Sequence, residues 1–225
     1  MGECMIDADK IIAALQGHSG ELIEKLKTDP NARNAALAGA GGLAAGLIAG
    51  RASPRFAGAA LRMGGLAALG GLAYYAWKRH QARQTGQPAP APGEVEPPPN
   101  GFLPPPDSPQ MQAHAKVTLR AMINAAKADG RIDSEERARL FDRLGAVSLT
   151  EEEQSFLFAE LARPIDTDGL VAAVAGQPAA AAQVYAASLL AITADQPAEQ
   201  AYLADLARRL NLPPELVSEL HAAAA

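Results

Sequence analysis

Shifting the sequence by 66 residues lays part of its second half over itself, and this internal repeat limits the available folds more than any other feature. Ala121 meets Ala187, Ile123 meets Leu189, Ala125 meets Ala191, Asp129 meets Asp195, Leu140 meets Leu206 and Leu144 meets Leu210. In both copies the apolar positions recur every three to four residues, the period of an amphipathic helix. Leu119, Met122, Ile123 and Ala126 make one stripe, and Leu140, Phe141 and Leu144 another. Each copy reads as helix, Ala-Asp turn, acidic helix start, helix. Two copies predict an all-α, two-fold-like bundle of about seven helices over residues 110–225.

The punctuation agrees. Gly130 suits a helix C-terminus. Asp133 with Glu136, and Thr150 with Glu153, have the spacing of a capping box, in which side chains at both ends satisfy free backbone amides. Pro164 stops the helix that Thr150 starts, and Gly176 with Pro178 stops a short one carrying Leu170, Val171 and Val174. Residues 179–194, 197–211 and 213–220 complete the series. Aromatic residues are only 4% of the chain, and strand-forming residues are few, so nothing competes with helix.

Upstream of the repeat the chain changes character. Residues 1–33 carry Ile11, Ile12, Leu15, Leu22, Ile23 and Leu26 at helical spacing, interrupted by Gly17 and Gly20. This amphipathic region suits a membrane surface or a partner. Residues 34–50 contain no charge, Arg51–Arg55 interrupt, and residues 56–77 contain one charge, Arg62. A membrane span needs about 20 mostly apolar residues. Gly density of this kind weakens a helix in water by roughly 1 kcal/mol per residue relative to Ala, whereas Gly42, Gly46 and Gly50 share one helix face that suits close packing in lipid. Tyr74, Tyr75 and Trp77, then Lys78, Arg79 and Arg83, end the tract as interfacial aromatics and a basic stop do.

Residues 34–83 therefore read as a helical membrane hairpin with both termini cytoplasmic. A single span near 57–77 would place the N-terminus outside. Residues 84–109 are Pro-rich and read as an extended linker, about 3.1 Å per residue and so up to roughly 80 Å in reach.

The stretch AAKADGRIDSEERARLFDRLG, residues 125–145, resembles the TerB-like (tellurite-resistance) helical family through its A-x-x-ADG-x-I-x-x-x-E run. With the Gly-rich tract and Pro-rich segment in front, the whole is similar to the YebE-type branch of bacterial inner-membrane proteins. The resemblance implies an all-helical fold of about seven helices. It also implies a role in envelope stress or metal-oxyanion resistance, and a divalent-metal site. By motif position that site is Asp129, Asp133 and Glu136 from the first copy and Asp195 and Glu199 from the second. The second copy departs from the pattern: Gln196-Pro197 replaces Gly-Arg, and Tyr202 stands opposite Glu136.

Two readings of these acids stay open. An all-oxygen ligand set favours Ca²⁺ or Mg²⁺, yet the same residues are what a helix junction uses to cap its amides and oppose its dipole. They do not fit the EF-hand loop.

Other chemistry finds little footing. Gly39, Gly41 and Ala44 match the dinucleotide fingerprint, but no strand precedes them and no acidic partner follows. His18, His80, His114 and His221 are scattered and Cys4 is alone. The net charge is −5, and from residue 110 onward 10 basic residues face 16 acidic ones, so no basic patch points to nucleic acid. Three functions remain: a membrane-tethered helical adaptor that binds a protein partner or a divalent cation, a structural membrane protein that forms homo-oligomers through Gly42, Gly46 and Gly50, and a metal-dependent enzyme using the acidic cluster.

Overall fold

The computed structural model describes Asp7, Ile11 and residues 65–90, 98–105, 108–128, 149–192 and 196–224. Among these there are seven helices and no strand: α1 (Gly65–Thr85), α2 (Pro109–Ala126), α3 (Glu151–Ala162), α4 (Thr167–Ala173), α5 (Pro178–Ala191), α6 (Pro197–Arg209) and α7 (Pro214–Ala224). The all-α expectation holds.

Local chemistry sets the boundaries. Ser108 caps α2 by accepting the Met111 amide at 3.0 Å, and Pro109 takes the first turn, where its missing N–H costs nothing. The Thr150–Glu153 capping box forms as predicted: the Thr150 amide donates to Glu153 Oε2 at 2.8 Å, and the Glu153 amide to Thr150 Oγ1 at 3.2 Å. Asp166 Oδ1 accepts the Gly169 amide at 2.8 Å and starts α4. The end of α6 uses a device the sequence reading passed over. Asn211 adopts φ of 53°, the Leu212 amide reaches back to the Ala207 carbonyl at 3.0 Å, and the Asn211 amide to Arg208 at 3.2 Å. This is a Schellman closure with Asn in the left-handed position that Gly usually fills.

The bundle is built around α5. Every residue from Ala180 to Leu189 is buried, so the helix has no solvent face. Five of those ten are Ala, and small side chains let neighbours approach closely. The helices α1, α2, α6 and α7 pack against it, while α3 and α4 lie on α2. The most extensive contact is between α2 and α5, the two helices that carry the aligned Ala121/Ala187 and Ile123/Leu189 pairs. The duplication is thus expressed as repeat-related helices packing on each other, with Ser188 Oγ donating across the contact to the Ala121 carbonyl at 3.3 Å.

The helix α1 falls within the tract read as the membrane hairpin. Leu66, Leu69, Leu72, Ala73 and Ala76 are buried in the same core as α5 and α7. Among the described residues no helix is long and apolar enough to cross a membrane; residues 34–64 lie outside them. The Pro-rich stretch also differs from a free spacer where it is described. Phe102 is buried, with ring centroids 5.1 Å from Tyr74 and 6.0 Å from Trp77. Its carbonyl accepts the Gln183 amide group. Gly70 permits this approach: a Cβ there would lie 2.7 Å from the Phe102 carbonyl oxygen and 2.8 Å from Gln183 Nε2.

Candidate functional site

Of the five acids singled out by motif, only Glu199 falls within the described residues; Asp129, Asp133, Glu136 and Asp195 do not. Glu199 sits in the first turn of α6, half-buried, and its Oε2 accepts the Gln196 amide at 3.4 Å. That is a capping contact, at the long end of hydrogen-bond range. Among the described residues no group of three or more His, Cys, Asp or Glu side chains is placed to hold a metal ion. Gly42, Gly46 and Gly50 also lie outside them. Tyr202, opposite Glu136 in the repeat, has a buried hydroxyl facing Ser188, and burial pushes its pKa up to about 12.

What the structure does bring together is a set of buried charges that join helices. On α7, Leu216, Glu219 and Leu220 lie on one buried face. Glu219 is 1% exposed, and Arg79 Nε and Arg83 Nε of α1 each approach one of its carboxylate oxygens at 2.8 Å. These are ion-pair contacts whose angles fall outside hydrogen-bond geometry. The arginines read as a basic stop are thus partners of a buried acid. Arg79 also lies over the Tyr75 ring at 5.7 Å, which adds cation–π attraction. The signal was present in the sequence: an acid occupying a position of the Leu216/Leu220 stripe, where an apolar residue is expected.

A second cluster lies at the end of α2, around Lys127. Lys127 Nζ donates to the main-chain carbonyls of Glu160 at 2.6 Å and Arg163 at 2.8 Å, capping the C-terminus of α3. Burial lowers the Lys127 pKa, and the nearby Glu160 carboxylate partly offsets this. Glu160 in turn pairs with Arg120 at 2.9 Å and Arg163 at 3.1 Å. Lys127 therefore fixes the residue just before the motif turn to α3, a structural role for the first residue of the KADG sequence. Sequence reading missed it because a Lys between two helices reads as solvated by default.

Two histidines are held by tyrosine and glutamine. His221 Nε2 and the Tyr185 hydroxyl are 2.8 Å apart, and burial pushes the Tyr185 pKa up to about 12, so the phenol keeps its proton. Burial lowers the His221 pKa. It lowers that of His114 as well, a contact with Gln183 opposing the shift.

The end of the Gly/Ala tract from Gly65, the described part of the Pro-rich segment and the helical bundle thus meet in one body, with α1 as the joint. A single family profile covers all of them: that of a protein family of unknown function, DUF533, matching residues 33–224. The chain belongs to the DUF533 family. This is a TerB-like family, in keeping with the resemblance carried by residues 125–145. No curated protein and no solved structure matches the chain. The DUF533 match begins one residue before the uncharged tract and ends in α7, so the tract and the bundle belong to one family unit.

Proposed function

We propose that this DUF533 protein is a membrane-tethered helical adaptor of the YebE type. In this reading the part of its Gly/Ala-rich tract upstream of α1 sits in the bacterial inner membrane and its cytoplasmic helical body binds a protein partner. The observation that supports it best is the placement of α1. This helix forms the end of the Gly/Ala-rich tract, and its apolar face is buried against α5 and α7. A body joined in this way is held close to whatever the tract occupies, whereas a body on an 80 Å leash, the roughly estimated reach of the Pro-rich segment, is not. The acidic balance from residue 110 onward favours a basic partner surface, through steering more than through affinity. A role in envelope stress or metal-oxyanion resistance, and Ca²⁺ or Mg²⁺ at the Asp129–Glu136 turn, belong to the same proposal.

The test is fractionation of cells expressing the full chain and a deletion of residues 34–64. The deletion stops short of α1 because that helix is core. The full chain is expected to sediment with membranes and survive a carbonate wash, and the deletion to become soluble with its bundle intact. A full chain that stays in the supernatant refutes the membrane part. Crosslinking in cells, with the full chain as bait, tests the partner.

A further inference from the structure

The first described residues of the chain sit far from where a free N-terminus would be. The Asp7 amide donates to Glu153 Oε1 at 2.7 Å, across 146 residues of sequence. Ile11 is fully buried in the same core cluster as Leu66, Leu69, Leu157 and Leu220. The Ile11 amide reaches the Asp7 carbonyl at 3.4 Å, closing one helical turn.

Glu153 accounts for the docking. It is 2% exposed, and a buried carboxylate needs donors for both oxygens. Oε2 takes the Thr150 amide at the start of α3, and Oε1 takes the Asp7 amide at the start of the N-terminal turn. One carboxylate thus serves two helix starts, each of which favours negative charge. The capping box alone would leave Oε1 buried without that donor.

We infer that Asp7 and Ile11 dock the N-terminal segment in cis on the helical body as a clasp, so that the residues at both ends of the stretch 12–64 belong to this body. Taken with the membrane reading above, on which this consequence rests, the tract enters and leaves the bilayer on the same side. A single span would separate Ile11 from the bundle by the roughly 30 Å hydrocarbon core, and Ile11 is inside the bundle.

The test uses Cys4, the one cysteine of the chain. Spin labels on Cys4 and on Ser155→Cys, an exposed position of α3, report the clasp by electron–electron distance in the full chain. Three residues span at most about 10 Å, so a narrow distribution within roughly 25 Å is expected. Ile11→Asp should broaden it. Asp7→Pro, which removes the donated N–H together with the Asp side chain, should weaken docking about tenfold or more, at least the loss expected for a hydrogen bond to a charged acceptor. Trp77 fluorescence checks that the bundle stays folded in both. A broad distribution in the parent chain overturns the clasp, and so does a narrow one that survives both changes. A short distance that disappears on dilution with excess unlabelled chain shows exchange between copies and overturns docking in cis.

Sidedness is read separately with an impermeant maleimide on sealed inner-membrane vesicles. Cys4, and Ser155→Cys in a Cys4→Ser background, are expected to label from the same side. Labelling from opposite sides overturns entry and exit on the same side. If the full chain does not sediment with membranes, the membrane proposal falls with its consequence, while the distance measurement still decides the clasp.

Discussion

Removing Glu219 and removing its two arginines are expected to cost different amounts, although both erase the same ion pairs. The side chains of Arg79 and Arg83 are 26% and 59% exposed, whereas that of Glu219 is 1% exposed. In Glu219→Ala the arginines turn toward water and recover their solvation. The loss is that of charge-assisted contacts, about 1.5–3 kcal/mol. In the double variant Arg79→Ala/Arg83→Ala the carboxylate stays buried with no cation, and breaking a buried pair in this way costs about 3–5 kcal/mol. A third variant completes the argument. Adding Glu219→Leu to the double variant removes the stranded charge and should recover at least half of the loss, because apolar packing replaces buried ion pairs well. Urea unfolding of the full chain, followed through Trp77, is the assay. Trp77 is the only tryptophan and lies in α1 against Phe102, so it reports the helix in question. With a slope of about 1–3 kcal/mol per M, the double variant shifts the midpoint by more than about 1 M, and Glu219→Ala by clearly less. Equal shifts for the two, or no recovery in the triple variant, would refute the reasoning.

Other perturbations test separate parts of the structure. Gly70→Ala gains about 1 kcal/mol of helix propensity but drives a methyl into the Phe102 carbonyl and Gln183; overpacking of this kind costs about 1–3 kcal/mol, so calorimetry should show a lower Tm, not a higher one. Lys127→Met strips two buried carbonyls of their donor and should cost about 1.5–3 kcal/mol, with faster hydrogen exchange confined at first to the end of α3. His114 has its pKa lowered by burial from 6.5, so between its folded and unfolded values the unfolded chain binds more protons. Its contribution is therefore complete above about pH 6.5 and is lost as the pH falls, and His114→Asn should flatten the decline in urea midpoint between pH 7 and 5. Glu199→Gln keeps the cap, since Gln serves at that capping-box position, and should leave Tm unchanged without metal; if Ca²⁺ or Mg²⁺ raises the Tm of the parent chain but not of this variant, Glu199 is a ligand and capping is not its whole role.

Much of the bundle was legible because its signals are local. Caps, breakers and stripes act over three or four residues, and the Thr150–Glu153 box and the stops near Pro164 and Gly176 stand where they were expected. The repeat marked α2 and α5 as equivalent helices, but that they pack on each other is a finding of the structure. Tertiary choices were not legible. Nothing near Asp7 in the sequence says that its amide will meet Glu153, and nothing near Phe102 says that its carbonyl will meet Gln183. In the candidate site the motif acids drew attention because they form a run, while the buried acids Glu160 and Glu219 stand singly and Glu153 closes a run of three glutamates that reads as a helix start. Each of these three occupies a stripe position of its helix, and that mismatch between residue and face was the available signal.

The reading of α1 shows why composition alone misleads here. A helix such as Leu66–Trp77, rich in Ala, Leu and Gly with aromatics and cations at its end, suits two surroundings equally: a bilayer and the inside of a small-residue bundle. Both are apolar, and both reward glycine where another backbone comes close. What separates them is the need of the other groups for partners. In lipid Arg79 and Arg83 would look outward to headgroups; here they meet an acid on α7 that has no other cation within ion-pair distance among the described residues. Gly70 likewise faces the Phe102 carbonyl and the Gln183 side chain of α5 in the same chain. The helix is therefore specified by groups that only this bundle supplies, and any membrane-inserted part of the chain begins upstream of Gly65.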